Sequence, residues 1–218
     1  LHRKAMDAFR EYMIVGGLPQ SVSAFVKTND LSAADHAKRK ILRLYRSDIE
    51  KHAGRYALKT MQVFDAIPSQ LAKHEKKFSL AALGKSARMR EYEDAFMWLR
   101  EAMVSNVCYR STEPNVGLEL NAERATLKCY SSDTGLLVTQ AFMDSDCAEN
   151  ELYRALMLDK LSINNGMIAE NAVAQALRFG GRELYFYSRY GKNETEERME
   201  IDFLIRREGR ISPIEVRS

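Results

Sequence analysis

Three carboxylates and one arginine near the end of the chain have the residue types and spacing of a metal-dependent hydrolytic site. In "MEIDFLI", strand alternation sets Asp202 on the face opposite to the apolar residues, and in "PIEVRS" it gives Glu215 and Arg217 a common face. Glu170 lies in the preceding helical stretch "MIAENAVAQALRF". Carboxylate oxygens are the ligands that Mg²⁺ prefers, and bound metal activates water against a phosphodiester. The pattern predicts Mg²⁺ at Asp202 and Glu215, with Glu170 and Arg217 as further catalytic residues.

Arg217 departs from the usual Glu-x-Lys pattern of such strands. An arginine keeps its positive charge and stabilises a developing negative charge, but it does not release a proton near neutral pH. The same spacing of Asp202, Glu215 and Arg217 also fits an ion-pair ladder across a sheet. Two interpretations stay open: a nuclease site weakened by Arg217, and a structural ion-pair ladder.

A second group of candidate residues is basic and lies on and before the helical stretch "RMREYEDAFMWLREAMVS". Four side chains could contact the phosphates of double-stranded DNA, namely Lys85, Arg88, Arg90 and Arg100. The stretch also carries four acidic side chains that would repel phosphates. The alternative is a solvated or protein-docking face. The nearby "LGKSA" resembles the end of a phosphate loop, but Ser79 stands where its first glycine belongs, so we expect no ATP site here.

The elements that must position these residues follow from periodicity and from turn residues. We expect helices over most of the first hundred residues, with a capping box from Ser32 to Asp35 and a kink or restart at Pro68. Two strand-like runs, "VSNVCYRS" and "ATLKCYSS", then complete the order of a winged helix-turn-helix. A helix over 148–160, a second helix, a polar loop over 189–198 and three extended runs follow. The predicted division is 1–56 helical, 57–143 winged helix-like and 144–218 nuclease-like α/β.

Composition bounds the class of protein. The chain has 218 residues, 45% of them hydrophobic, which is enough for a real core. A net charge of +3 does not by itself argue for nucleic acid, and the three cysteines form neither a disulfide framework nor a zinc pattern. With no long apolar run and no secretion signal, we expect a cytoplasmic protein without membrane contact.

Several blocks, taken in order, resemble the C-terminal half of a large family of bacterial and archaeal AAA+ ATPases. They are "FREYMIVGGLPQSV", "LYRSDIEKHA", "YSSDTGLL", "GMIAENAVAQAL", "MEIDFLI" and "PIEVRS". The resemblance implies an α+β chain: a helical segment, a winged helix, and an incomplete restriction-endonuclease-like domain of the PD-(D/E)xK kind. It puts the family's acidic residues on Glu170, Asp202 and Glu215, and its lysine on Arg217. It also implies that ATP binds only in an upstream ATPase domain.

These observations favour a DNA- or protein-partner-binding region of an AAA+ protein, with a nuclease-like domain of weakened activity. The first alternative is an Mg²⁺-dependent DNA endonuclease that uses Glu170, Asp202, Glu215 and Arg217. The second is a winged-helix regulator that binds DNA through Lys85, Arg88, Arg90 and Arg100.

Overall fold

The computed structural model describes residues 2–143, 165–189 and 199–217. The helices are α1 His2–Val15, α2 Pro19–Thr28, α3 Leu31–His52, α4 Ala57–Leu71, α5 Met89–Glu101, α6 Thr134–Ala141 and α7 Asn165–Phe179. The strands are β1 Ser105–Ser111, β2 Ala122–Ser131, β3 Leu184–Arg189, β4 Met199–Arg207 and β5 Arg210–Ile214. The predicted helix over 148–160 and nearly all of the predicted loop over 189–198 lie outside the described residues.

The strands form one mixed sheet in the order β2-β1-β3-β4-β5. Neighbouring strands run antiparallel except for β1 and β3, which pair in parallel, with Cys108 opposite Leu184. Parallel neighbours need a crossover, and α6 and α7 lie within the long connection between β2 and β3. The two halves of the chain therefore share a sheet, and the mixed α+β class expected from the sequence is confirmed.

The predicted division at residues 143 and 144 separates strands that lie in this one sheet. The strands β1 and β2 follow α4, a short 3₁₀ turn and α5, which is the element order of a winged helix. They are not a free-standing wing, because β1 also pairs with β3. One hydrophobic core contains residues from both sides of the division, such as Phe96 and Phe186. The later strands extend the first ribbon.

Two local predictions in the helical part need correction. The helix α3 begins at Leu31, and its cap is Asp30, whose carboxylate accepts a hydrogen bond from the backbone N–H of Ser32 at 2.9 Å. Ser32 is therefore inside the helix rather than its cap. The helix α4 runs through Pro68 to Leu71, although proline removes one backbone donor. The helix therefore does not restart at Pro68, and the Phe64 carbonyl, which a residue with an N–H at position 68 would bond, accepts instead from the side-chain amide of Gln140 at 2.9 Å.

The "GG" and "DTG" segments meet at a close approach between two backbones. Gly16 ends α1 with φ of 81°, in the left-handed region that favours glycine. A Cβ at Gly135 would lie 2.6 Å from both the Gly16 nitrogen and the Val15 oxygen. Asp133 caps α6 by accepting from the N–H of Leu136 at 3.0 Å, and it also accepts from the N–H of Gly17 at 2.7 Å. The same carboxylate thus joins the turn after α1 to the start of α6.

No helix in the described ranges is long and apolar enough to cross a membrane.

Candidate functional site

A buried lysine that the sequence did not single out lies at the centre of the predicted acidic site. The ammonium of Lys128 on β2 lies 2.9 Å from a Glu200 oxygen, 3.1 Å from a Glu170 oxygen and 3.4 Å from an Asp202 oxygen. The side chain of Lys128 is 1% exposed. Its Nζ lies 5.2 Å from the ring centroid of Phe186 on β3, the strand that pairs with β4. One lysine therefore bridges from an edge strand to β4.

Glu170 is the most deeply buried of the carboxylates and has three partners. Its α7 position brings it over the sheet, where its side chain is 1% exposed. Besides Lys128, it pairs with the ammonium of Lys76 and accepts a hydrogen bond from the hydroxyl of Tyr130. A buried carboxylate needs such partners, since desolvating an unpaired charge is costly. We call this set the carboxylate–lysine cluster: Glu170, Glu200, Asp202, Lys76, Lys128 and Tyr130.

Asp202 and Glu215 come close, but Glu215 and Arg217 lie beyond the end of β5. The strand ends at Ile214, which pairs with Phe203, so Glu215 is next in register to Asp202. The backbone N–H of Val216 donates to an Asp202 oxygen at 3.0 Å and holds this segment beside β4. Glu215 and Arg217 are exposed. The prediction that both are strand residues is therefore wrong, although Glu215 still faces the Asp202 side of the site.

The charges of the cluster shift the pKa values of three groups. Burial alone would lower the pKa of Lys128, but Glu170, Glu200 and Asp202 outweigh it and raise that pKa, so the ammonium stays charged at neutral pH. Burial, helped by the charge of Glu170, raises the pKa of Tyr130 well above its usual value. Desolvation and the charge of Asp202 raise the pKa of Glu215. At neutral pH the cluster thus contains a charged lysine and a protonated phenol.

The donor set does not fit a Mg²⁺ ion as the side chains are arranged. The described residues include no group of three or more His, Cys, Asp or Glu side chains arranged to hold a metal. The space between Glu170, Glu200 and Asp202 is taken by the Lys128 ammonium, a cation that is compact and carries three donors. A metal ion would have to displace that ammonium before it could reach the same oxygens.

The predicted DNA-contacting residues divide into two kinds. Lys85, Arg88 and Arg90 are exposed around the start of α5. Arg100, at the other end of α5, pairs with Glu183 at 2.8 Å and is only about one-third exposed. The first three residues are exposed beside the equally exposed Glu91 and Glu93, and Arg100 belongs to a separate ion pair.

Sequence reasoning missed Lys76, Lys128, Tyr130 and Glu200 as members of the cluster. A signal for Lys128 was present in "ATLKCYSS", because this lysine lies inside a short strand-like run beside the apolar Leu127 and Cys129. A lysine is almost never fully buried unless it is paired, so this position called for an acidic partner. The identity of that partner depends on the order of the strands, which the local sequence does not contain.

Two families of unknown function match the chain. Residues 6–146 match the family described as Domain of unknown function (DUF8612). Residues 165–218 match Domain of unknown function (DUF4143), a domain typically found with AAA ATPases. No curated protein and no solved structure matches the chain.

Proposed function

The chain belongs to the DUF8612 family, and we propose that it is a region of an AAA+ ATPase that binds DNA or a protein partner, with a nuclease-like site that Lys128 closes. ATP would bind in an upstream ATPase domain, and its hydrolysis would rearrange the region described above. The support for the ATPase connection is the DUF4143 match over residues 165–218.

The position of Lys128 supports a closed site, that is, a site in which the lysine ammonium takes the place of a metal ion. Its ammonium lies within 3.4 Å of oxygens from all three carboxylates of the cluster. Metal-dependent hydrolysis needs an ion with open coordination positions for water and the scissile phosphate. An ammonium group neutralises the same carboxylates but has no such positions. The cluster therefore stabilises the fold around α7 and β4 instead of activating water.

A cleavage assay tests the closed site. Supercoiled plasmid is incubated with the chain and Mg²⁺, beside an Asp202→Ala variant and a reaction with chelator. We expect wild type and Asp202→Ala to give the same background of nicked plasmid. Mg²⁺-dependent cleavage by the wild type that Asp202→Ala abolishes would refute the proposal.

An active Mg²⁺ endonuclease is the second candidate, and Lys128 also favours it in one respect. The site lacks a lysine at position 217, and Lys128 brings an ammonium to Asp202 from another strand. Under this alternative Lys128 would face the scissile phosphate, and metal would be held by Asp202 and Glu215. Cleavage would then be lost in Lys128→Met and retained in Arg217→Ala. The proposed closed site predicts no cleavage in any of these proteins.

The DNA-binding alternative for the partner rests on the exposed Lys85, Arg88 and Arg90. Phosphate contacts release counterions, so binding that uses them weakens steeply as salt rises. A fluorescence anisotropy titration with duplex DNA at low and moderate salt tests this directly. Salt-dependent binding that weakens in Arg88→Ala and Arg90→Ala supports DNA as the partner. If no duplex DNA binds even at low salt, a protein is the favoured partner.

A further inference from the structure

The face of the sheet opposite to the carboxylate–lysine cluster carries three tyrosines. The Lys128 ammonium lies over the ring of Phe186, so Phe186 is on the cluster face of β3. Because side chains alternate along a strand, Tyr185 and Tyr187 lie on the other face. Tyr109 on β1 is the parallel partner of Tyr185 and shares that face. All three tyrosines are partly exposed, so this face presents aromatic rings on two neighbouring strands.

A cavity of about 570 Å³ lies beside these rings. The loop between β1 and β2 contributes residues 116–120 to its lining, and the sheet contributes Tyr185 and Leu204. Leu120 in the loop is 91% exposed and is available to a ligand. The volume lies within the roughly 300–1,000 Å³ of pockets that hold small ligands, so one unpaired base has room to enter beside Tyr185.

Three arginines surround the tyrosines and the cavity. Arg182 and Arg206 line the cavity, and Arg182 donates a hydrogen bond to the backbone carbonyl of Arg206 at 3.1 Å. The guanidinium carbon of Arg124 lies 6.0 Å from the ring centroid of Tyr109. Among the described residues, none of these three arginines forms an ion pair with a carboxylate. Arg124 and Arg206 are exposed, so their charges are available to a ligand in solution.

Two carboxylates line the same cavity, and they do not cancel the three arginines. Glu183 lies between Arg100 and Arg178, at 2.8 and 2.7 Å, so these three side chains together carry one positive charge. Glu119 is the other carboxylate of the described lining, and it opposes three arginine charges. The face therefore keeps an excess of positive charge next to its aromatic rings.

We propose that this face of the sheet binds single-stranded nucleic acid. Unpaired bases stack on Tyr185 and Tyr187 and on the guanidinium of Arg124. Their phosphates contact Arg182 and Arg206. Proteins commonly hold unpaired bases on aromatic rings and guanidinium planes, with cations along the backbone of the strand. The inference rests on the partner-binding part of the proposed function, and it names the chemistry of that partner.

A duplex cannot use this surface in the same way, because its bases stack on one another and leave no free face for a tyrosine ring. The surface is also distinct from the exposed residues at the start of α5, which were considered above for duplex DNA. Binding of a single strand and binding of a duplex are therefore separable by mutation.

Fluorescence anisotropy tests the surface with labelled oligomers of about 15 deoxythymidines or uridines at low salt. We expect binding that weakens as salt rises, because phosphate contacts release counterions. Tyr187→Leu removes a stacking ring and should weaken binding about fivefold or more. Tyr187→Phe keeps the ring and should bind as the wild type does. The oligomer that binds more tightly identifies the sugar that the surface prefers.

Arg206→Gln tests the phosphate contact, and Arg43→Gln is its matched control. Both substitutions remove one positive charge from an exposed position, but Arg43 is on α3, which is not part of the sheet. We expect Arg206→Gln to weaken binding and to reduce its salt dependence, whereas Arg43→Gln should leave both unchanged. Thermal unfolding followed by circular dichroism checks that each variant is folded at the assay temperature.

Three results would overturn the proposal. They are no binding of either oligomer at low salt, equal binding by Tyr187→Leu and Tyr187→Phe, and equal effects of Arg206→Gln and Arg43→Gln. None of these results affects the tests of the proposed function, because plasmid cleavage depends on Asp202 and the duplex titration on Arg88 and Arg90.

Discussion

Replacing Lys128 with methionine should destabilise the chain much more than removing a surface ion pair. The substitution keeps most of the side-chain volume and deletes an ammonium that is 1% exposed and shared by three carboxylates. Removing one partner of a buried pair costs about 3–5 kcal/mol, because the remaining charge is left desolvated. Glu170 keeps Lys76 and Tyr130, and the side chain of Glu200 is already 37% exposed. We therefore expect the low end of that range, about 3 kcal/mol at neutral pH.

Arg46→Met provides the matched comparison. Arg46 pairs with Asp65 at 2.7 Å, but the two side chains are 36% and 41% exposed, so the loss should stay below about 1 kcal/mol. Urea unfolding at neutral pH, followed by circular dichroism, gives both free energies of unfolding. A loss for Lys128→Met as small as that for Arg46→Met would refute the view that the lysine holds the cluster together.

The pH dependence of the Lys128→Met difference has a defined direction. The carboxylates raise the folded-state pKa of Lys128 above its usual 10.5, so its stabilising contribution is complete below that value. The contribution is lost only as the pH rises further through the folded-state pKa. The gap in free energy of unfolding between wild type and Lys128→Met should therefore persist from neutral pH to about 10.5 and narrow above it.

Two further substitutions, Gly135→Ala and Lys38→Met, test buried positions in the helices α6 and α3. Gly135→Ala should cost more than about 2 kcal/mol, because its Cβ would meet the backbone of Val15 and Gly16. Gly84→Ala is the control and should stay within about 0.5 kcal/mol, because the nearest atom to its Cβ is the Ala87 Cβ at 4.0 Å. Thermal unfolding compares the two variants, and equal losses would contradict the close approach. Burial lowers the pKa of Lys38 to about 8, so the wild type should gain stability as the pH rises from 8 to 10.5, where the neutral amine increasingly fits its buried position. Lys38→Met should lack that gain, and parallel stability curves for the two proteins would count against it.

The sequence predicted individual elements well because their signals are local. The end of α1 at Gly16, the stripe of α5 and the run "MEIDFLI" all come from periodicity and turn residues within a few positions. The cap of α3 was missed by two residues, because Asp30 and Ser32 are both good caps and packing decides between them.

Local sequence patterns could not predict how the strands pair into one sheet or which residue lies at the centre of the site. The parallel pairing of β1 with β3 joins segments more than seventy residues apart, and no spacing rule specifies it. Lys128 and Asp202 meet only because that pairing brings their strands together. The acidic residues Glu170 and Asp202 were recognised from their residue types and positions, and the resemblance to a known family points to the same residues, but the lysine that neutralises them was not predicted.

Binding of Mg²⁺ by the wild-type chain is the most direct test of the closed site. The melting temperature is measured with increasing Mg²⁺ and at matched ionic strength with Na⁺, for the wild type and for Asp202→Ala. A ligand that binds the folded state raises the melting temperature in a saturable way. We predict no saturable Mg²⁺-specific rise for either protein, because Lys128 already satisfies the carboxylates. A saturable rise in the wild type that Asp202→Ala removes would contradict the closed site.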